Sequence, residues 1–141
     1  MPSWFPIALA AAVLYGAHQV FTRLAADRIG DGLGGFVVEV SAALTILAYL
    51  AFLWSSGRWD QKLTAAGVGY SVLTGLCVGA GTIAFFLLFQ RGGPLSAVPV
   101  ILAIGAALMA LAGFTLFGEV VTWQRVLGIA LAIAGLVLLR H

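Results

Sequence analysis

Apolar residues run through this chain in long blocks, and polar residues collect in the short stretches between them. Five blocks are long enough to be helices crossing a bilayer: residues 4–22, 33–54, 65–89, 94–117 and 120–139. A crossing helix needs about 20 mostly apolar residues because the hydrocarbon core is ~30 Å thick. The blocks lack the alternation of barrel strands and are about twice as long as a membrane strand. Between them lie residues 23–32, 55–64, 90–93 and 118–119, which hold most of the charges. Pro94 suits a first helical turn, where its missing N–H costs nothing, and Thr122 marks the start of the fifth helix. Gly30, Gly32, Gly34 and Gly35 make the first connection read as a flexible hinge. The N-terminus has no basic lead, and its apolar run exceeds that of a signal peptide, so it reads as a retained first span. The pattern predicts an all-α integral membrane protein of five transmembrane helices, forming one domain over residues 1–141.

Composition supports this and excludes other classes. Of 141 residues, 62% are hydrophobic and 9% charged, and the mean hydropathy is +1.12. A soluble domain carries roughly 25% charged residues, so a cytosolic enzyme, a disordered chain and a nucleic-acid binder are all ruled out. Cys77 is alone, which forbids an intrachain disulfide and a cysteine metal cluster. There is no nucleophile–base pair, metal cluster or phosphate-binding loop, and the GDGLGG stretch joins two spans rather than a strand and a helix. Neither enzymatic activity nor a cofactor or metal is expected. The expected partners are the lipid bilayer and a small-molecule substrate.

Charge hardly distinguishes the two membrane faces. Five spans put the termini on opposite sides. The N-terminal face then holds Arg58, Lys62 and Arg125, and the other holds Arg23, Arg28, Arg91 and Arg140. Orientation follows the Lys/Arg bias, and three against four is almost none. Two topologies stay open: one fixed orientation, or insertion both ways with antiparallel pairing. Trp4, Trp54, Trp59 and Trp123 all fall at the N-terminal face, as an aromatic belt would.

Two ionisable residues lie inside spans, where a charge costs on the order of 2.5–3.5 kcal/mol at the helix centre. His18 is about six residues before the end of the first helix, ~9 Å deep at 1.5 Å per residue. Glu39 is about six residues into the second, from the same side. Their depths match, so the pair is placed to face each other. Gln19 is adjacent, and Tyr15, His18 and Thr22 share a helical face through i, i+3 and i+7 spacing. Pro99, about five residues into the fourth span, is expected to free the Leu95 carbonyl. With Ser96 and Gln90 it would line a wettable vestibule. Glu39 is the candidate for binding a proton or an incoming cation. The plainer alternatives are that Glu39 snorkels to the interface, that His18 bonds a neighbouring carbonyl, and that Tyr15 only packs.

Small residues repeat every four positions in the third span at Gly67, Ser71, Gly75 and Gly79, and the fifth carries a similar ridge at Gly128, Ala132 and Gly135. Such ridges let helix backbones approach closely. They serve either packing within the chain or a dimer, and a chain this small favours an oligomer around any substrate path.

The stretch GGPLSAVPVILAIGAALMALAGFTLFGEVVTWQRVLGIALAIAGLVLLR resembles the C-terminal half of an EamA-type domain of the drug/metabolite transporter superfamily. Pro99, Gly118-Glu119, Gln124, Gly128-Ile129 and Gly135 carry the likeness, and Tyr15-Gly16 stands for the family's aromatic-Gly pair, where Trp is commoner. The likeness covers nearly the whole chain. Most members have two such domains in ten spans, as an inverted repeat. One domain resembles the five-span bacterial or archaeal branch, an EamA-like half-transporter in the cell inner membrane. The resemblance implies a secondary transporter of a small metabolite or organic cation, using alternating access as an antiparallel homodimer or with a second small membrane subunit. It implies no cofactor. Small multidrug resistance proteins use an intramembrane Glu in their first helix, whereas Glu39 is in the second, so its role does not transfer by position. Glu119 matches the family's Gly-Glu but lies at a helix end, as a loop-ordering residue that pairs with Arg125. Two other functions stay open: a flippase for lipid or lipid-linked sugar, and a non-transporting scaffold subunit.

Overall fold

The computed structural model describes residues 4–120 and 122–138, and it is helical. Helix α1 spans Phe5–Ala26, α2 Asp31–Ser55 and α3 Ala65–Gln90. A short 3₁₀ turn, Leu95–Ala97, leads into α4 (Val98–Leu116), and α5 spans Trp123–Leu138. No strand occurs among the described residues. Three helices and the segment Leu95–Leu116 are long and apolar enough to cross a membrane. As described, α5 has 16 residues, and residues 121 and 139 of the expected fifth span lie outside the described residues. So does Arg140, with the side chains of Arg125 and Ala132.

Local chemistry sets the helix ends. Pro6 sits in the first turn of α1, where no N–H is needed. Thr64 caps α3, its hydroxyl oxygen accepting from the Gly67 N–H at 3.0 Å. Helix α2 stops at Gly57, whose φ of 67° is open to glycine without a Cβ penalty. The reversed chain lets Arg58 N–H reach the Leu53 carbonyl at 3.0 Å and Gly57 N–H the Trp54 carbonyl at 3.3 Å, a Schellman closure.

The chain forms two compact units that meet at Gly92 and Gly93. In the first, α1 and α2 both pack on α3. All but one of its buried residues gather at one end: Gln19, Thr22 and Ala26 of α1, Gly34 and Gly35 of α2, and Thr82, Phe86 and Phe89 of α3, with Leu53 buried near the other end of α2. Elsewhere large apolar side chains face outward, Ile46 at 60% and Leu76 at 66% exposed. In water such a surface would aggregate; against hydrocarbon it is the expected coat.

The glycine-rich hinge expected at residues 30–35 is instead the start of α2. Gly30 caps the helix, and Gly34 and Gly35 lie inside it, buried. The reason is the neighbour. A Cβ on Gly34 would meet Phe86 Cε1 at 2.3 Å, and one on Gly35 would meet Ile83 Cγ1 at 3.2 Å. These glycines allow close approach of α3, and the ring they admit is completely buried.

In the second unit α4 packs on α5. Pro94 precedes the 3₁₀ turn rather than opening a helix, and Pro99 falls in the first turn of α4. The expectation that Pro99 frees the Leu95 carbonyl is therefore corrected: that carbonyl accepts from the Val98 N–H. The proline starts a helix here and does not break one.

The contrast between glycines predicts opposite tolerance. Gly34→Ala should cost about 1–3 kcal/mol by overpacking against Phe86. Gly75→Ala and Gly79→Ala, with nothing within 4 Å of the new Cβ, should stay within about 1 kcal/mol of wild type. Thermal unfolding in detergent micelles, followed by circular dichroism, checks both.

Candidate functional site

Three helices of the first unit each bring one polar side chain to the same level. His18 lies eight residues before Ala26, the end of α1; Glu39 lies eight residues after Asp31, the start of α2; Thr82 lies eight residues before Gln90, the end of α3. At 1.5 Å per residue that is about 12 Å along each helix. The helices run further than the apolar blocks, α1 to Ala26 and α2 from Asp31.

These side chains line a cavity of about 260 Å³ that also contacts Leu14 and Tyr15 of α1, Val38 and Ala42 of α2, and Val78 of α3. Its walls are mainly apolar. His18 and Glu39 are half-buried. Tyr15 meets the His18 ring edge-on, with centroids 6.4 Å apart and planes at 73°, and is 69% exposed. The aromatic pair thus borders the outer side of the unit. The Thr82 hydroxyl lies 2.7 Å from Glu39 Oε1. Among the described residues, no cation forms a salt bridge with Glu39; Arg23 pairs with Asp27 at 2.6 Å near the end of α1.

The structure brings Tyr15, His18 and Glu39 together. It does not place Gln19 or Thr22 among the cavity residues. Both are buried in the helix packing, with Thr22 donating to the His18 carbonyl at 2.9 Å. Gln19 Oε1 is enclosed without a partner among the described residues. Gln90 donates to the Ile29 carbonyl at 3.0 Å, tying the end of α3 to the α1–α2 connection. Ser96 and Pro99 belong to the second unit and are exposed there. Thr82 was not singled out from sequence. Counting eight residues back from the end of α3 would have found it.

The small-residue ridges take a different part from the close packing seen at Gly34. Gly75, Gly79, Gly128 and Gly135 have nothing within 4 Å of a built Cβ, and Gly67 meets its own cap, Thr64 Oγ1. Gly67 and Ser71 line a shallow depression beside Lys62. In the second unit, Glu119 folds over the end of α4. Its N–H donates to the Gly113 carbonyl at 3.0 Å, and its carboxylate carbon would lie 3.2 Å from a Cβ on Gly113.

Helices long and apolar enough to cross a membrane, three of them enclosing a cavity with a carboxyl in its wall, fit a multi-pass membrane protein. The model of the EamA-like transporter family matches residues 2–140, and the chain belongs to that family. Its members are transporters rather than enzymes. No curated protein and no solved structure matches the chain.

An open apolar cavity with one carboxyl predicts selective chemistry. An apolar carbodiimide should reach Glu39 through the open cavity in lipid vesicles and label it, and Glu39→Gln should abolish that label. Mass spectrometry of the digested protein reads the site, and labelling confined to Asp27, Asp31, Asp60 and Glu119 would count against the cavity's access.

Proposed function

We propose that this chain is half of a secondary transporter that exchanges a small cationic solute, an organic cation or an amine-bearing metabolite, for a proton at Glu39. The observation that carries this is Glu39 itself: a half-buried carboxyl in an apolar cavity, bonded to a neutral hydroxyl. A carboxyl so placed holds either a proton or a cation, and occupancy by one displaces the other. The aromatic edge of Tyr15 and His18 offers a face for an apolar cation. Family membership supports the transporter class.

On this reading α5 supplies a fifth span, and two copies in the inner membrane pair in opposite orientations, which completes the inverted repeat of two-domain relatives. The near-equal charge of the two faces and the uncovered backbone at Gly75 and Gly79 support such pairing. Transporters built on inverted repeats bind substrate near the midplane at the repeat interface. Because an exposed side chain, Tyr15, lines the cavity, a lipid headgroup is the second reading.

Calorimetric titration of the whole protein in micelles with benzylammonium as probe tests the exchange. Binding should release a proton, seen as a dependence of the heat on the buffer, and Glu39→Gln should weaken binding about tenfold or more, as loss of a charge-assisted contact does. Equal affinity in wild type and Glu39→Gln would refute the role of Glu39. Tighter binding of anionic or zwitterionic lipid headgroups would favour the second reading.

Pairing is tested separately. Terminal reporters, each active on one side of the membrane only, should give comparable signal from both sides. A single orientation would rule out the antiparallel homodimer and leave a second subunit.

A further inference from the structure

Threonines inside helices commonly donate their one hydroxyl proton to the carbonyl four residues back. Thr22, Thr45, Thr74 and Thr115 do so here, at 2.8–2.9 Å. Thr82 has two acceptors in reach. Its Oγ1 lies 3.0 Å from the Val78 carbonyl and 2.7 Å from Glu39 Oε1 on the neighbouring helix, and it is 5% exposed.

A hydroxyl donates one proton and accepts through its lone pairs. Two oxygens 2.7 Å apart need a proton between them. When Glu39 is ionised, the Thr82 hydroxyl supplies it. When Glu39 is protonated, the carboxyl O–H donates to Thr82 Oγ1, and the threonine proton turns to the Val78 carbonyl. Both arrangements use the same three oxygen positions, and only one hydroxyl rotates.

Given the proton exchange proposed at Glu39, on which this rests, we infer that Thr82 is its positioning residue: a hydroxyl that reverses its donor direction as the carboxyl gains or loses a proton, holding the carboxyl in one geometry throughout. The other titratable groups at the cavity are His18 and Tyr15, both from α1; α3 contributes Val78 and Thr82 and no charge. From α3, therefore, the hydroxyl alone meets the carboxyl. A valine at this position keeps the shape and removes both the donor and the acceptor. A serine keeps both.

Infrared difference spectra of the full chain in lipid, acid minus alkaline, test this. The carboxyl band of protonated Glu39 is the one lost in Glu39→Gln. In Thr82→Val that band should shift and broaden, because the carboxyl loses its fixed acceptor, and benzylammonium should bind about tenfold more weakly. Thr82→Ser should restore the wild-type band and keep affinity within about threefold. An unmoved band in Thr82→Val overturns the role of Thr82 and leaves exchange at Glu39 standing. If no Glu39-dependent band appears between acid and alkaline pH, the carboxyl never changes state, and both readings fall.

Discussion

The ring of Phe86 rests on the backbone of Gly34, and the polar site depends on the register this contact sets. Helices α2 and α3 run antiparallel, so a step along one is a step back along the other. From the pair Gly34–Phe86, Gly35 meets Ile83 and Thr82, and Glu39 reaches Thr82. A slip of one residue would turn each side chain about 100° around its helix and separate the carboxyl from the hydroxyl. Within a bilayer, lipid tails are as apolar as leucine, so helices are held by fit rather than by exclusion from water. A large ring seated on a residue without a Cβ is such a fit. It explains why α2 carries adjacent glycines at residues 34 and 35 although glycine disfavours a helix.

The same contact makes the first unit unequal along its length. Around Phe86 and Phe89 the helices are closely packed, and the end is tied off by two further contacts. Gln90 holds the Ile29 carbonyl, and the Arg23 guanidinium lies 5.9 Å from the centre of the Phe89 ring while paired to Asp27. Just beyond this packed end the helices part enough to leave the cavity. The site therefore sits where a rigid seam gives way to open helix faces. A rigid floor fixes Glu39, and an open side admits a ligand.

Much of this was legible in the sequence, because bilayer depth is a ruler. Counting from the ends of the apolar blocks places His18 and Glu39 at one level. The same ruler applied to α3 points to Thr82, but an uncharged threonine in a helix carries no signal of cost that would mark it. The glycines were harder. Spacing at 67, 71, 75 and 79 shows where a backbone could approach, yet which glycine is used depends on the partner's side chain, and Phe86 faces Gly34. Gly34 and Gly35 lie beside a polar connection, where glycine signals a hinge as readily as a notch. Pro99 was ambiguous for a related reason. Its effect depends on where the helix begins, and the 3₁₀ turn after Pro94 moved that start to Val98.

The choice of partner for Glu39 bears on what the site can do. An arginine beside it would favour the charged form of the carboxyl and occupy the place of any cationic ligand. The Arg23 guanidinium, beside Phe89 at the packed end, is instead engaged by Asp27. A wholly apolar wall would leave the ionised carboxyl without a donor, at the cost of an unsatisfied buried group. A hydroxyl avoids both outcomes, since it donates to the carboxylate and accepts from the acid. It supplies no net charge, so in the ionised state the carboxyl keeps a full negative charge that a solute has to neutralise. On the proposed reading the cation arriving in the cavity completes the site, and its departure is matched by the return of a proton. The economy of the arrangement lies in needing no backbone movement at Glu39 for either state, which leaves conformational change to the helices around it.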